Sequence, residues 1–241
     1  MPDDATSIEY GLRNPQTGEW SPLETYQQEF LDACVGKRFC TFGGGKGSGK
    51  TSTILYKLAK NAVTALNPSL FPRPLDPPYT ILFAHHKEEY VYSAIFRPFF
   101  SILPREIPNP RGGAPISLVL EQNEGKKKFI RWGLNNQQCV IFRWVGLSDV
   151  KQIRDLDLSG ENFDAVFMCQ PDLIDNEDAL WACDGRLGRR EIAPLEPQLF
   201  LDPNVCRGWP YWLMVKGNLN PRADGTPRHV FRNSTTWQNP H

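Results

Sequence analysis

A chain of 241 residues is long enough for one large domain with a core of its own, and its 27 basic and 27 acidic side chains cancel. That balance argues against a stand-alone nucleic-acid binder, which ordinarily carries a basic excess, and leaves room for a ring in which each subunit makes a few contacts. No apolar run approaches the roughly 20 residues a bilayer span needs, no secretory signal opens the chain, and the six cysteines (Cys34, Cys40, Cys139, Cys169, Cys183, Cys206) lack a C-x-x-C pair, so zinc and disulfide frameworks are excluded and a reducing compartment is expected.

Residues 1–20 are polar, with turn signals at Asn14-Pro15 and Thr17-Gly18, and read as an arm ahead of a single domain over 21–241. Ser21, Pro22 and Glu24 predict a helix start, with Ser21 as N-cap, Pro22 at the first helical position and Glu24 as the capping-box acid. The helix carries Tyr26, Gln27, Phe30 and Leu31 to about Ala33 and is stopped by Gly36.

The next stretch, RFCTFGGGKGSGKTSTILY over 38–56, organises the rest. A short buried strand leads into a glycine-rich loop and then a helix. Within it GGKGSGKT (Gly44, Gly45, Lys46, Gly47, Ser48, Gly49, Lys50, Thr51) satisfies the phosphate-loop pattern G-x-x-x-x-G-K-[ST]. Glycines there let successive N–H groups turn toward phosphate oxygens, and the helix start adds its positive dipole end. Lys50 is expected to reach the β- and γ-phosphates, the Thr51 hydroxyl to complete a Mg²⁺ shell, and Ser52 to line the same cradle. The pattern predicts ATP with Mg²⁺ as the bound pair.

Apolar positions Ile54, Leu55, Leu58, Ala59, Ala62 and Val63 extend that helix until Asn67-Pro68. After a proline-rich connection, 79–84 reads as a second buried strand, and 88–103 as an aromatic-rich helix ended by Pro104. The adjacent His85 and His86 are expected to face opposite sides of the strand and so not to share a metal. A turn-rich loop at 108–113, a strand at 116–120, and a hairpin of 129–132 with 139–145 follow; Lys126, Lys127 and Lys128 at the hairpin entrance are candidates for phosphate contact. Residues 148–158 are polar. Then FDAVFM at 163–168 is an apolar strand leading to Cys169-Gln170-Pro171-Asp172, and 177–190 reads as a helix ending in Arg186, Arg189 and Arg190. A last buried strand is expected at 212–215, running into the turn Gly217-Asn218-Leu219-Asn220-Pro221. Strands alternating with helices predict an α/β P-loop NTPase fold: a central, mostly parallel sheet flanked by helices, with the glycine loop, Gln170 and Asn218 gathered at its carboxyl edge.

Taken together, the helix bearing Gln27, the GG-basic-G-S-G-K-T loop, and the N-P turn followed by His229-Val230-Phe231-Arg232 resemble the ATPase domain of the large terminase subunit of tailed bacteriophages. The resemblance covers about 22–231. It implies ATP hydrolysis coupled to movement of duplex DNA into a capsid, in the host cytoplasm and without a membrane. It further implies a homo-oligomeric ring, and a portal protein, a small terminase subunit and a nuclease domain or subunit as partners. By that likeness Gln27 reads adenine, Lys46 is the loop's basic residue, and Arg186 is a candidate to act on a neighbour's nucleotide, with Arg189, Arg190 and Arg97 as alternatives. The family's nuclease carboxylates are not found in these residues, so the nuclease is expected elsewhere, beyond a domain boundary or on another polypeptide.

One departure matters. The family ends the strand equivalent to 163–168 with an Asp-Glu pair, and here those positions are Cys169 and Gln170. A thiol is a poor ligand for a hard cation. An amide can orient a water but cannot take its proton. Asp172, and after it Asp175, are the alternative carboxylates, with Asp172 the alternative metal-side acid. Two readings follow, a competent motor domain or a hydrolysis-impaired structural or switch subunit of the same machinery. A helicase-like or partition ATPase stands behind them.

Overall fold

The computed structural model describes residues 12–13, 20–107, 116–117, 119–123, 129–135, 138–147, 162–175, 177–188, 190, 192–204, 208–211 and 227–234. Its centre is one eight-stranded sheet. In chain order the strands are β1 Phe39–Gly44, β2 Tyr79–His85, β3 Val119–Asn123, β4 Phe129–Gly133, β5 Cys139–Gly146, β6 Ala165–Met168, β7 Gln198–Leu201 and β8 His229–Ser234. Across the sheet they run β8-β1-β7-β6-β2-β5-β4-β3. The first six are parallel, and the predicted hairpin β4–β5, with β3 added, forms an antiparallel margin.

Parallel strands are covered on both faces, which is why β1, β2 and β6 read as near-continuous apolar runs. Alternate side chains divide between two cores. Phe42, Phe83, Phe142, Phe167 and Phe200 join Phe30, Ile54, Leu58 and Phe99 on one side. Phe39, Leu82, Val166, Met168, Leu199 and Leu201 join Ile174, Leu180 and Leu187 on the other. The first core is covered by α1 Thr25–Ala33, α2 Lys50–Ala65, and the helix made of α3 Glu88–Val91, one π turn Tyr92–Phe96 and α4 Arg97–Ile102. That widened turn precedes Pro98, whose ring cannot donate to a carbonyl one α-turn back. The second core is closed by α5 Asp178–Asp184.

Several expected boundaries move. α1 starts at Thr25, not after Ser21, because Glu24 and Gln27 form the capping box: the Glu24 N–H donates to Gln27 Oε1 at 2.9 Å, and the Glu24 carboxylate accepts from the N3 amide. Ser21 is instead taken up in a two-residue antiparallel ladder, pairing with Leu12 inside the region expected as a loose arm. The helix expected over 177–190 ends at Asp184. Arg38 claims the Asp184 carbonyl at 2.9 Å, and the Arg186 carbonyl accepts from Phe163 N–H at 2.9 Å, so these groups serve neighbouring strands instead of another helical turn. Arg186 therefore lies past the helix, beside the start of β6.

His86 falls beyond the end of β2 and turns back, so the two histidine rings lie 4.5 Å apart between centroids instead of on opposite faces. No cluster of three or more metal-ligating side chains forms among the described residues. Neither β7 nor β8 has a counterpart in the expected strand set. The expected strand at 212–215, the turn 217–221 with Asn218, the lysines 126–128, the segment 148–158 and Arg189 lie outside the described residues.

Candidate nucleotide site

Strand register builds the site. Met168 at the end of β6 pairs with Leu201 on one side and Ala84 on the other, and Leu201 pairs with Thr41 of β1. The residues that come next, His85, Cys169 and Asp202, therefore line up along the carboxyl edge beside the loop that leaves β1. This is the edge where open parallel sheets bind ligands.

The loop between β1 and α2 has the form its sequence predicts. Gly49, the residue before α2, takes a left-handed conformation with φ 75°, open to glycine at little cost. Gly44 is packed so closely that a Cβ would lie 2.5 Å from the Ser234 carbonyl oxygen and 2.8 Å from Ser48 Oγ. The loop is tied to α1 by the Tyr26 hydroxyl, which donates to the Ser48 carbonyl at 3.1 Å, and to the end of β7 by Gly44 N–H, which donates to the Pro203 carbonyl at 3.3 Å. Lys46 and Gly47 are exposed at its crown.

Lys50 is 95% buried, with a relative exposure of 5%. Its ammonium donates to the Gly45 carbonyl at 3.3 Å and to Asn204 Oδ1 at 3.0 Å, both neutral acceptors. Asn204 is itself held by Asp172, whose carboxylate accepts from the Asn204 N–H at 2.9 Å and from its Nδ2 at 3.1 Å. Asp172, expected as an alternative metal-side acid, thus reaches the site through Asn204.

The carboxylate that meets the Thr51 hydroxyl is Asp202, which sequence reading did not single out. Thr51 Oγ1 donates to Asp202 Oδ2, the Gln170 N–H donates to Oδ1 at 2.6 Å, and Cys169 Sγ donates to Oδ2 at 3.8 Å. Asp202 is fully buried, and burial pushes its carboxyl up to about 6 against the lowering effects of Thr51, the Gln170 amide and Lys50. Burial, then the neighbouring Asp202, push the Cys169 thiol well up, so it stays a protonated donor. Gln170 adopts a left-handed conformation at φ 50°, rare outside glycine, and its side chain hydrogen-bonds His85. His85 also accepts from the Lys87 N–H at 3.3 Å on Nδ1; burial, then His86, lower its pKa and favour the neutral ring.

These residues suit a phosphate and a hard cation. A buried ammonium resting on neutral oxygens gains when it exchanges them for a phosphate. Ser48 Oγ is buried without a hydrogen-bond partner among the described residues. Beside Thr51 the donor set is a hydroxyl and a carboxylate, the oxygen ligands that Mg²⁺ takes.

Of the expected site residues, Gly44, Gly45, Lys46, Gly47, Ser48, Gly49, Lys50, Thr51 and Ser52 stand together, and the structure brings Gln170 and Asp172 to them. Gln27 lies on the adjoining helix, buried, next to Tyr26. Arg186 and Arg190 are at the opposite, amino edge. Arg190 is committed there to Asp164 at 2.7 and 2.9 Å and to the Pro78 carbonyl at 2.9 Å.

The fold has clear relatives among solved structures. The large terminase of a thermophilic bacteriophage superposes with a TM-score of 0.60 at 15% identity, covering 91% of this chain and 47% of that one. A second crystal form of that terminase, in complex with ATP-γ-S, gives 0.57 at 12% identity, over 91% and 46%. A mutant ATPase domain of the Thermus phage P74-26 large terminase gives 0.57 at 14% identity, over 91% and 83%. The chain thus has the P-loop NTPase fold of large terminase ATPase domains and spans about half the length of the first of these relatives. No protein-family model matches the chain, and no curated protein matches it.

Proposed function

We propose that this chain is the ATP-binding and ATP-hydrolysing motor domain of a terminase-like DNA-packaging machine, coupling hydrolysis to translocation of duplex DNA into a capsid. One observation carries the reading: Lys50, buried under a glycine loop at the carboxyl edge of a terminase-like sheet, rests among the described residues on neutral acceptors. On binding, Lys50 leaves Gly45 O and Asn204 Oδ1 for the β- and γ-phosphate oxygens, while the loop amides and the start of α2 take the remaining charge. Gln27, beside the Tyr26 that ties α1 to the loop, is the candidate adenine reader. Thr51 would hold Mg²⁺, which would neutralise charge on the phosphates. In a ring of copies Arg186, at the amino edge, is the candidate to reach a neighbour's nucleotide. Portal, small terminase subunit and nuclease are the expected partners, and the host cytoplasm the expected place. Among the described residues no helix is long and apolar enough to cross a membrane.

A second reading is favoured by Cys169 and Gln170: a subunit that binds nucleotide as a switch and hydrolyses it poorly, since neither residue offers a base for water. One set of experiments tests both. Lys50→Ala should weaken ATP binding by about 1.5–3 kcal/mol, the worth of a hydrogen bond to a charged group, and a variant that titrates like the parent would sink the phosphate-loop assignment. Steady-state turnover of the parent with Mg²⁺ and duplex DNA then separates motor from switch: DNA-stimulated turnover supports the motor, and tight binding without turnover supports the switch.

A further inference from the structure

We infer that Asp202, delivered from β7, is the carboxylate of the divalent-cation site, and that Cys169 and Gln170 are the groups that hold it in place. The inference rests on the nucleotide-binding reading above and extends it to the metal.

Four observations converge on Asp202. It is completely buried, and its partners are a hydroxyl, a backbone amide and a thiol. Among the described residues no cation lies within ion-pair distance of it, and a buried carboxylate is stable only against positive charge or a full set of donors. Its Oδ2 faces Thr51 Oγ1, the hydroxyl that the phosphate-loop pattern assigns to the metal. The competing groups are engaged otherwise. Asp172 is used on both N–H donors of Asn204, Asp164 is paired with Arg190 at the far edge, and the Cys169 thiol points at Asp202 as a donor. Finally, Gln170 takes its unusual left-handed backbone while aiming its N–H at Asp202 Oδ1. Two donors from the end of β6 thus fix the orientation of an acid at the end of β7. The cation class is a hard, oxygen-preferring divalent ion, Mg²⁺ or Mn²⁺, bound together with a nucleoside triphosphate.

The test is a titration of the full chain with a non-hydrolysable ATP analogue, in Mg²⁺ and in EDTA, on the parent, Asp202→Asn, Cys169→Ala and Lys50→Ala. The parent should bind more tightly in Mg²⁺. Asp202→Asn should lose that enhancement, by about 10–100-fold as for other disrupted metal sites, while its affinity in EDTA stays near the parent's. Cys169→Ala should weaken the enhancement less than Asp202→Asn does, and a parent-like enhancement in Cys169→Ala would remove its holding role. Retention of the parent's Mg²⁺ enhancement in Asp202→Asn would overturn the inference and leave the phosphate-loop reading intact. Parent-like binding by Lys50→Ala would remove both. Should Asp202→Asn fail to fold, Asp202→Glu answers the same question: a carboxylate displaced by one methylene should shift the preference from Mg²⁺ toward the larger Mn²⁺, and an unchanged preference refutes the assignment.

Discussion

The two edges of the sheet treat buried charge in opposite ways. At the amino edge two arginines meet carboxylates, Arg190 on Asp164 at 2.7 Å and Arg38 on Asp184 at 2.5 Å, and backbone carbonyls accept further guanidinium N–H groups. At the carboxyl edge Lys50 sits on neutral oxygens and Asp202 on neutral donors, with no ion pair between them. The first arrangement is closed and holds strands and connections together. The second leaves one positive and one negative group under-compensated a short way apart, as a site for a phosphate and a cation requires. The fold keeps stability at one edge and spends it at the other.

Breaking the amino edge should give the largest effect. Arg190→Met leaves Asp164 buried without its cation, and a broken buried pair costs about 3 kcal/mol, the low end of the range because a quarter of the Arg190 side chain is exposed. Urea unfolding should show that loss, with nucleotide affinity of the folded fraction unchanged. A change in affinity of the folded protein would mean that the two edges are not independent.

The same operation at the carboxyl edge should have the opposite sign. Asp202 titrates near 6 in the native chain against an ordinary value of 3.8. Between those limits the native state holds a proton that the unfolded state has released, so this group's contribution is fully present below pH 4 and is lost as the pH rises through 6. A shift of that size corresponds to about 3 kcal/mol. Asp202→Asn cannot ionise, so without nucleotide it should match the parent near pH 4 and exceed it in stability at pH 7. Unfolding free energies of both proteins across pH 4–7 measure the difference directly, and parallel curves would show that a positive charge compensates Asp202 in the native chain.

A smaller effect is expected where the edge meets the loop. Gly44→Ala places a Cβ 2.5 Å from the Ser234 carbonyl oxygen and 2.6 Å from its hydroxyl, and the backbone or β8 must yield. Overpacking of this kind costs about 2 kcal/mol. Melting temperature should fall and phosphate affinity with it, because the same shift moves Ser48 and the loop amides. A drop in stability alone would separate the loop's packing from its binding.

How much of this was legible in the sequence follows from how local each signal is. The phosphate loop is fixed by eight consecutive residues and the glycines they need, so it was read in place, as were β2, β6 and the β4–β5 hairpin from their apolar runs. β7 was missed because Gln198–Leu201 is four residues long and lies among Pro194, Pro197 and Pro203, which together read as a connection. Its signal was the apolar triplet Leu199 to Leu201 followed by an acid, a common way for a buried strand to end at a phosphate site. Asp202 could not be matched to Thr51 before the strand order was known, since 151 positions separate them and only the insertion of β7 between β1 and β6 makes them neighbours. The end of α5 was misjudged for a similar reason: the carbonyls that stop it bind partners from Arg38 and Phe163, which no helix-end rule reads.

The smallest expected effect sharpens the comparison at the boundary of the carboxyl edge, where Gln27 carries two roles that different substitutions can separate. Its Oε1 accepts the Glu24 N–H at 2.9 Å, closing the capping box of α1, and the helix so positioned brings the Tyr26 hydroxyl to the Ser48 carbonyl. Its Nε2 is the group that an adenine reader would use to donate to the base. Gln27→Ala removes both, at about 1 kcal/mol of stability for the lost cap, and lowers ATP-over-GTP preference. Gln27→Glu keeps an oxygen for the Glu24 amide and replaces the amide donor with a buried carboxyl. At a pH low enough to keep that carboxyl protonated it should melt close to the parent, and it should still lose discrimination between the two bases. If Gln27→Glu discriminates as the parent does while Gln27→Ala does not, the residue acts on the nucleotide only by seating α1 against the loop, and adenine is read by some other group.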